Sequence, residues 1–137
     1  MGHSGLTILE LKDSGDVRGN SFPVPADWFS NTFPVRDVHI TTVLPGHIRG
    51  NHYHVARHEV LIVIFTDQWS LHWDNGVETT ISRRQFDGNG AVVIRVPPHS
   101  SHAIRNDGSA LLHLVGLTDG AYDPAAPDAF PREVAPP

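Results

Sequence analysis

The sequence predicts an all-β protein, either a sandwich or a small antiparallel barrel. Short runs rich in Val, Ile, Thr and aromatic residues recur along the chain, and turn-forming residues separate them. No segment carries a long helical period of apolar residues. At 137 residues, the chain is long enough to bury one sizeable hydrophobic core.

The predicted elements follow one another at short intervals. The strand segments are residues 35–43, 59–65, 69–73, 79–82, 91–96, 102–105 and 110–117, with one possible helical turn at 26–29. Segment 59–65 is apolar at successive positions, which indicates a strand buried on both faces. Asp74-Asn75-Gly76 predicts a hairpin turn, and a second turn is expected at 87–90.

We expect one domain over residues 1–137, with an N-terminal arm (1–20) and an extended C-terminal tail (119–137) rich in Pro and Ala. The net charge of −5 argues against a nucleic-acid or membrane-surface partner. Cysteine is absent, which excludes disulfides and thiol chemistry. No apolar run approaches transmembrane length and no signal-peptide pattern is present, so the sequence predicts a cytoplasmic protein.

Three histidines and one glutamate stand out by their spacing. His52 and His54 lie two positions apart in an extended segment, where alternate side chains share a face. Glu59 follows shortly after, and His102 lies on a distant strand. Three imidazoles and one carboxylate suit one divalent transition metal, with zinc expected first and iron, manganese or nickel as alternatives.

His58 competes with Glu59 for the fourth ligand position. The two residues are adjacent in sequence, so they face opposite sides of an extended chain and only one of them can join the other ligands. We prefer Glu59 as the ligand because it matches the motif described in the next paragraph. His58 is then expected to face outward or to contact a ligand rather than the metal.

Two spaced motifs resemble those of the cupin superfamily. The first comprises Gly46, His52, His54 and Glu59, and the second comprises Pro97, His102 and Asn106. The second motif usually has glycine two positions after its proline, whereas this chain has His99, which we expect near the mouth of the site. The resemblance implies a double-stranded β-helix, a small antiparallel jelly-roll barrel whose open end holds the site.

Within the superfamily, the chain resembles one group of cupin domains in particular. The stretches at 49–54, 59–63 and 96–98, together with the ending around Asp128 and Phe130, resemble the C-terminal cupin domain of bifunctional UDP-sugar enzymes of capsule biosynthesis. That domain is a metal-binding epimerase acting on a 4-keto sugar nucleotide. The Arg-Gly-x-His stretch also resembles metal-free dTDP-sugar epimerases and ketoisomerases, in which the residue matching His52 is a base and the one matching Arg49 binds phosphate.

Residues outside the ligand set are candidates for acid–base and substrate-binding roles. His39 and His113 are the candidate catalytic residues, provided that their strand faces line the barrel lumen. His39 shares its face with an aspartate and a threonine, whereas His113 lies on an otherwise apolar face. The candidate substrate-binding residues are Arg49, Arg105 and His99, with Arg95 as a further arginine able to clamp an anion.

The predicted function is metal-assisted proton transfer on a small carbonyl compound, most simply epimerisation or isomerisation of a keto sugar nucleotide. Cyclisation of a polyketide-type chain, an Fe(II) dioxygenase reaction and non-catalytic ligand binding are the alternatives. We also expect a homodimer, since Trp69 and Trp73 form an apolar stripe suited to core or to an interface.

Overall fold

The computed structural model describes residues 5–29 and 33–137. Ten strands and one short 3-10 helix follow one another along this part of the chain: β1 (Thr7–Glu10), the helix (Ala26–Phe29), β2 (Asp37–Val43), β3 (Ile48–Tyr53), β4 (Glu59–Phe65), β5 (Trp69–Trp73), β6 (Ser82–Phe86), β7 (Gly90–Val96), β8 (His102–Asn106), β9 (Leu112–Thr118) and β10 (Phe130–Pro131). None of the helices in these residues is both long and apolar enough to cross a membrane.

The strands form two five-stranded antiparallel sheets, which confirms the predicted all-β jelly roll. The first sheet has the order β1-β7-β4-β9-β2 and the second has the order β10-β3-β8-β5-β6. Consecutive strands β3 and β4 lie in different sheets, as do β6 and β7, so the chain crosses repeatedly between the two layers. The connection from β3 to β4 carries part of the candidate site.

The main core lies between the sheets. It contains apolar side chains from both layers, including Leu61, Val63, Trp69, Leu71 and Ile94. Trp69 is fully buried and stacks on Phe86 with ring centroids 4.4 Å apart, and Trp73 packs against the same core. The two tryptophans therefore contribute to the core, one of the two roles that the sequence allowed, and they give no support for a dimer interface.

The outer faces of both sheets are partly covered by the ends of the chain. Trp28 packs with Val60 and Val93 on the first sheet, which explains why the 59–65 strand is apolar on both faces. On the second sheet, Val134 and Ala135 pack against Ala103. The predicted N-terminal arm contains β1, which pairs with β7, and its first four residues lie outside the described part of the chain.

The strand expected at 79–82 is wrong, because the fold places β6 at Ser82–Phe86. Thr79 instead closes the preceding turn: its backbone N–H donates to the Gly76 carbonyl at 2.9 Å, and its hydroxyl oxygen accepts the Asn75 N–H at 2.9 Å. β5 and β6 do pair as a hairpin, but Trp73 lies opposite Ser82, so the connection is a long loop rather than a tight turn.

We expect Asn106→Ala to destabilise the fold. The buried Asn106 amide donates to the carbonyls of Val43 and Ala110, each at 2.8 Å, and its oxygen accepts the Gly108 N–H at 3.0 Å. Alanine leaves these groups without their partner, so the free energy of unfolding should fall by about 2–4 kcal/mol in chemical denaturation. The exposed Asn89→Ala is the control, and an equal effect of the two substitutions would contradict this assignment.

Candidate metal centre and its cavity

Four side chains converge at one end of the barrel, as the spacing predicted. The ligand atoms of His52, His54, Glu59 and His102 all lie within 4.8 Å of one another. The ring centroid of His52 lies 5.0 Å from that of His54 and 4.9 Å from that of His102. Strands β3, β4 and β8 and the β3–β4 connection thus bring one ligand set together.

A backbone irregularity in β3 sets the direction of His52. The register of β3 against β8 shifts between Gly50 and His52, and Asn51 has φ of 57° in this bulge. Gly50 has φ of 105°, and a Cβ on it would lie 2.6 Å from the carbonyl oxygen of His102. Only glycine therefore allows the two ligand-bearing strands to approach this closely.

The donor set fits a divalent cation. Glu59 Oε1 lies 3.1 Å from His102 Nε2 and 3.5 Å from His54 Nε2. Nevertheless, neither Glu59 Oε1 nor His54 Nε2 has a partner with hydrogen-bonding geometry, although both atoms are buried. Buried polar atoms without partners are rare, and a metal ion bound by these nitrogens and this oxygen would satisfy them.

The electrostatics of the cluster favour a cation. Burial, followed by the nearby His102 and His54, lowers the pKa of His52 to about 4, so this imidazole is neutral near pH 7. Burial opposes ionisation of Glu59, but its contacts with His102 and His54 hold the pKa of this carboxyl well below its usual range. The cluster therefore presents an ionised carboxylate beside a neutral imidazole.

His58 lies outside the cluster. Its backbone N–H donates to Asp119 Oδ1 at 2.8 Å, and its Nδ1 lies 2.8 Å from Asp119 Oδ2. The side chain is about half exposed, whereas Glu59 is largely buried. The alternation of faces thus places Glu59, and not its neighbour, among the three histidines.

Glu59→Gln is expected to weaken metal binding by at least about tenfold, because an amide oxygen is a poorer ligand than a carboxylate and carries no charge. His58→Ala should leave metal affinity unchanged, since that imidazole is bound to Asp119. Isothermal titration of metal-free protein with Zn²⁺ measures both. A loss of affinity confined to the His58 variant would show that the ligand assignment is wrong.

A cavity of about 390 Å³ opens beside the cluster. Its polar wall contains His39, Thr41, Arg49, His52, Glu59 and His102, and the rest of its lining is Leu61, Ile104, Leu114, Gly50 and Gly116. A Cβ on Gly116 would lie 3.3 Å from Glu59 Oε2, so this glycine keeps space beside the carboxylate. The cavity is large enough for a small ligand that contacts a bound metal.

His39 and Arg49 both line the cavity. His39 Nδ1 is 2.9 Å from Asp37 Oδ2, and the imidazole is largely exposed. Arg49 Nε donates to the Thr42 carbonyl at 3.3 Å, which holds the guanidinium on the cavity wall.

Four other candidates lie elsewhere, which corrects their predicted positions. His113 is exposed on the outer face of β9, because the inner face is occupied by Leu112, Leu114 and Gly116. Arg105 faces the opposite side of β8 from His102 and pairs with Asp107 at 2.6 Å. Arg95 lies 4.2 Å above the Trp28 ring.

His99 also lies away from this cavity. It has φ of 71° in the loop before β8, and it lines a different surface depression with Tyr53 and Glu78. Its backbone N–H donates to the His54 carbonyl, so it contributes to the site through its main chain rather than through its imidazole.

Asp128 is the residue whose role the sequence did not reveal. Its carboxylate accepts the backbone N–H groups of Val55, Ala56 and Arg57 at 2.9–3.0 Å, and its carbonyl contacts His54 Nδ1. It forms part of a stretch that resembles the capsule-biosynthesis domain, but no local pattern ties it to residues some 70 positions earlier.

The jelly roll and its convergent histidines define a cupin-like domain. The chain belongs to the family described as Polysaccharide biosynthesis C-terminal domain, whose profile matches residues 31–130. No curated protein matches the chain at a significant level.

Solved structures share the fold at low sequence identity. The QdtA 3,4-ketoisomerase double mutant from Thermoanaerobacterium thermosaccharolyticum, in complex with TDP, has a TM-score of 0.70 and 19% identity, covering 94% of this chain and 88% of that one. NovW, a 4-keto-6-deoxy sugar epimerase from Streptomyces spheroides, has a TM-score of 0.69 and 16% identity, covering 91% and 68%.

CapF, a capsular polysaccharide assembling protein from Staphylococcus aureus, matches with a TM-score of 0.64 and 21% identity. The match covers 90% of this chain but only 34% of CapF, so the chain spans about a third of that protein. At these identities, the three likenesses establish the fold.

Proposed function

We propose that this protein is a metal-dependent isomerase or epimerase that moves a proton on a nucleotide-linked keto sugar. The observation that carries the proposal is the cluster of three imidazoles and one carboxylate beside the cavity. A divalent ion at this cluster, zinc being expected, would supply Lewis-acid polarisation of a substrate carbonyl and so acidify the neighbouring C–H bond.

His39 is the proposed acid–base residue. Its Nδ1 lies 2.9 Å from Asp37 Oδ2 and the imidazole lines the cavity, so we assign its Nε2 as the atom that accepts a proton from the substrate carbon. Return of the proton from Nε2 to the neighbouring carbon, with the hydroxyl hydrogen passing to the former carbonyl oxygen, gives an isomer, whereas an epimer requires a second proton donor on the opposite face of the same carbon.

Arg49 is the proposed anchor for the substrate phosphates. Its guanidinium lines the same cavity as His39 and the metal cluster, and a planar guanidinium suits bidentate binding of phosphate. The relatives support this substrate class, since one QdtA structure was solved with TDP-4-keto-6-deoxyglucose and NovW is a 4-keto-6-deoxy sugar epimerase.

The proposal is tested by incubating metal-loaded protein with TDP-4-keto-6-deoxyglucose in D₂O. We expect a mass increase of the sugar and a new product signal by NMR, both absent with His54→Ala. Lack of exchange by the wild-type protein on 4-keto sugar nucleotides would contradict the proposal. Oxygen uptake by an iron-loaded sample would then favour the dioxygenase alternative.

A homodimer remains part of the proposal. Light scattering at working concentration measures it directly, and a monomeric mass would contradict it.

A further inference from the structure

The last part of the described chain runs across the second sheet as an extended segment, called here the C-terminal strap. This C-terminal strap, residues 128–135, contains β10, which pairs with β3 through Phe130 opposite Tyr53 and Pro131 opposite His52. The rings of Phe130 and Tyr53 stack with centroids 5.5 Å apart. The strap therefore lies directly against the strand that carries one ligand and leads to the next.

The strap is anchored at its far end without Asp128. The side-chain oxygen of Asn51 accepts the N–H groups of Val134 and Ala135 at 2.9 and 3.0 Å. Arg132 Nε donates to the buried Asp74 carboxylate at 3.2 Å. A change confined to Asp128 should consequently leave the strap in place.

Asp128 connects the strap to the turn between two ligands. Its Oδ1 accepts the Val55 N–H at 2.9 Å, and its Oδ2 accepts those of Ala56 and Arg57, each at 3.0 Å. These three donors lie in the turn that links His54 to Glu59. The carboxylate thereby fixes the path of the backbone between two members of the cluster.

The main chain of Asp128 acts on the His54 ring itself. Its carbonyl oxygen contacts His54 Nδ1, and a carbonyl only accepts hydrogen bonds. Nδ1 therefore carries the hydrogen, which leaves the Nε2 lone pair directed toward Glu59 and the other imidazoles. One residue thus sets both the tautomer of His54 and the turn behind it.

We infer that Asp128 is a positioning residue that holds His54 and the His54–Glu59 turn in metal-binding geometry, an inference that rests on the proposed function. Groups that orient metal ligands typically change metal affinity by about 10–100-fold when removed. The carboxylate is the part of Asp128 that substitution can remove, because the carbonyl persists in every variant.

The test compares Asp128→Ala and Asp128→Asn with Asp123→Asn, a matched control in the same tail whose carboxylate accepts the N–H of nearby Ala125 at 2.9 Å. Co²⁺ is titrated into metal-free protein, and its visible absorption spectrum reports the coordination geometry. We expect Asp128→Ala to weaken binding about 10–100-fold with an altered spectrum, Asp128→Asn to be intermediate, and the control to match wild type. The metal-free Asp128 variants should still unfold cooperatively, at a melting temperature somewhat below that of wild type, because the three backbone N–H groups lose their carboxylate acceptor.

Wild-type affinity and spectrum in Asp128→Ala would overturn the inference while leaving the metal centre intact. Failure of the wild-type protein to bind Co²⁺ would instead overturn the proposed function. Unfolding of both Asp128 variants would also overturn the inference, because the role of Asp128 would then be stability alone.

Discussion

Replacing His54 and His102 together by alanine is expected to abolish metal binding without unfolding the barrel. Both imidazoles belong to the cluster, so only Glu59 and His52 would remain as ligands. Removing a ligand costs more than removing a group that merely orients one, so the loss should exceed about 100-fold in affinity. Neither histidine is part of the hydrophobic core between the sheets.

Elemental analysis of the purified protein measures this effect, and circular dichroism verifies the fold. His47→Ala with His58→Ala is the matched control, since it also removes two imidazoles but from exposed positions. We expect full occupancy in the control and almost none in the His54, His102 variant. Metal bound at the wild-type level in the latter would show that the cluster is not the metal site.

The second large effect concerns the acid–base residue. His39→Ala should slow proton exchange on a keto sugar nucleotide by about 10²–10⁴-fold, the range typical for loss of a general acid–base group. His113→Ala should have no effect, because that imidazole lies on the outer face of β9. Initial rates of deuterium incorporation into the substrate measure both variants.

Metal content must be equal in the two variants, so that the rates report proton transfer rather than occupancy. Slow exchange in His113→Ala combined with normal exchange in His39→Ala would contradict the assignment. Equal slowing of both would point to a general loss of structure.

The sequence was sufficient to predict the all-β fold and the members of the cluster. Alternation of side chains along an extended strand separated Glu59 from His58, and the structure puts them on different sides. The same alternation correctly grouped His39 with Asp37, which proved to be its neighbour. Strand geometry determines such local relations from sequence spacing, but the choice of Glu59 over His58 came from the resemblance to the cupin motif.

The choice between His39 and His113 required the tertiary structure. β9 is apolar on both faces, because Leu117 on its outer face packs with the Trp28 cluster while Leu114 faces the core. A period of two residues cannot tell which of two apolar faces is the lumen. From the sequence, His113 was therefore as plausible an acid–base residue as His39, and only the packing of the two sheets distinguishes them.

Likewise, the sequence pattern did not predict the long-range contacts and the backbone irregularities. Asp128 is held to the His54–Glu59 turn across some 70 residues, and Asn51 is held to Ala135 across 84. His99 adopts a positive φ that turns its side chain toward another depression. No periodicity encodes such features, since each depends on where distant segments pack.

Assistance of proton transfer by a metal at the cluster is tested most directly by the metal dependence of exchange. The rate of deuterium incorporation into TDP-4-keto-6-deoxyglucose is measured for one preparation before chelation, after chelation and after reloading with Zn²⁺. We expect exchange to fall at least about 100-fold on chelation and to return on reloading. Unchanged exchange in the chelated protein, with its metal content verified as negligible, would contradict the account and favour a metal-free mechanism with His52 as base.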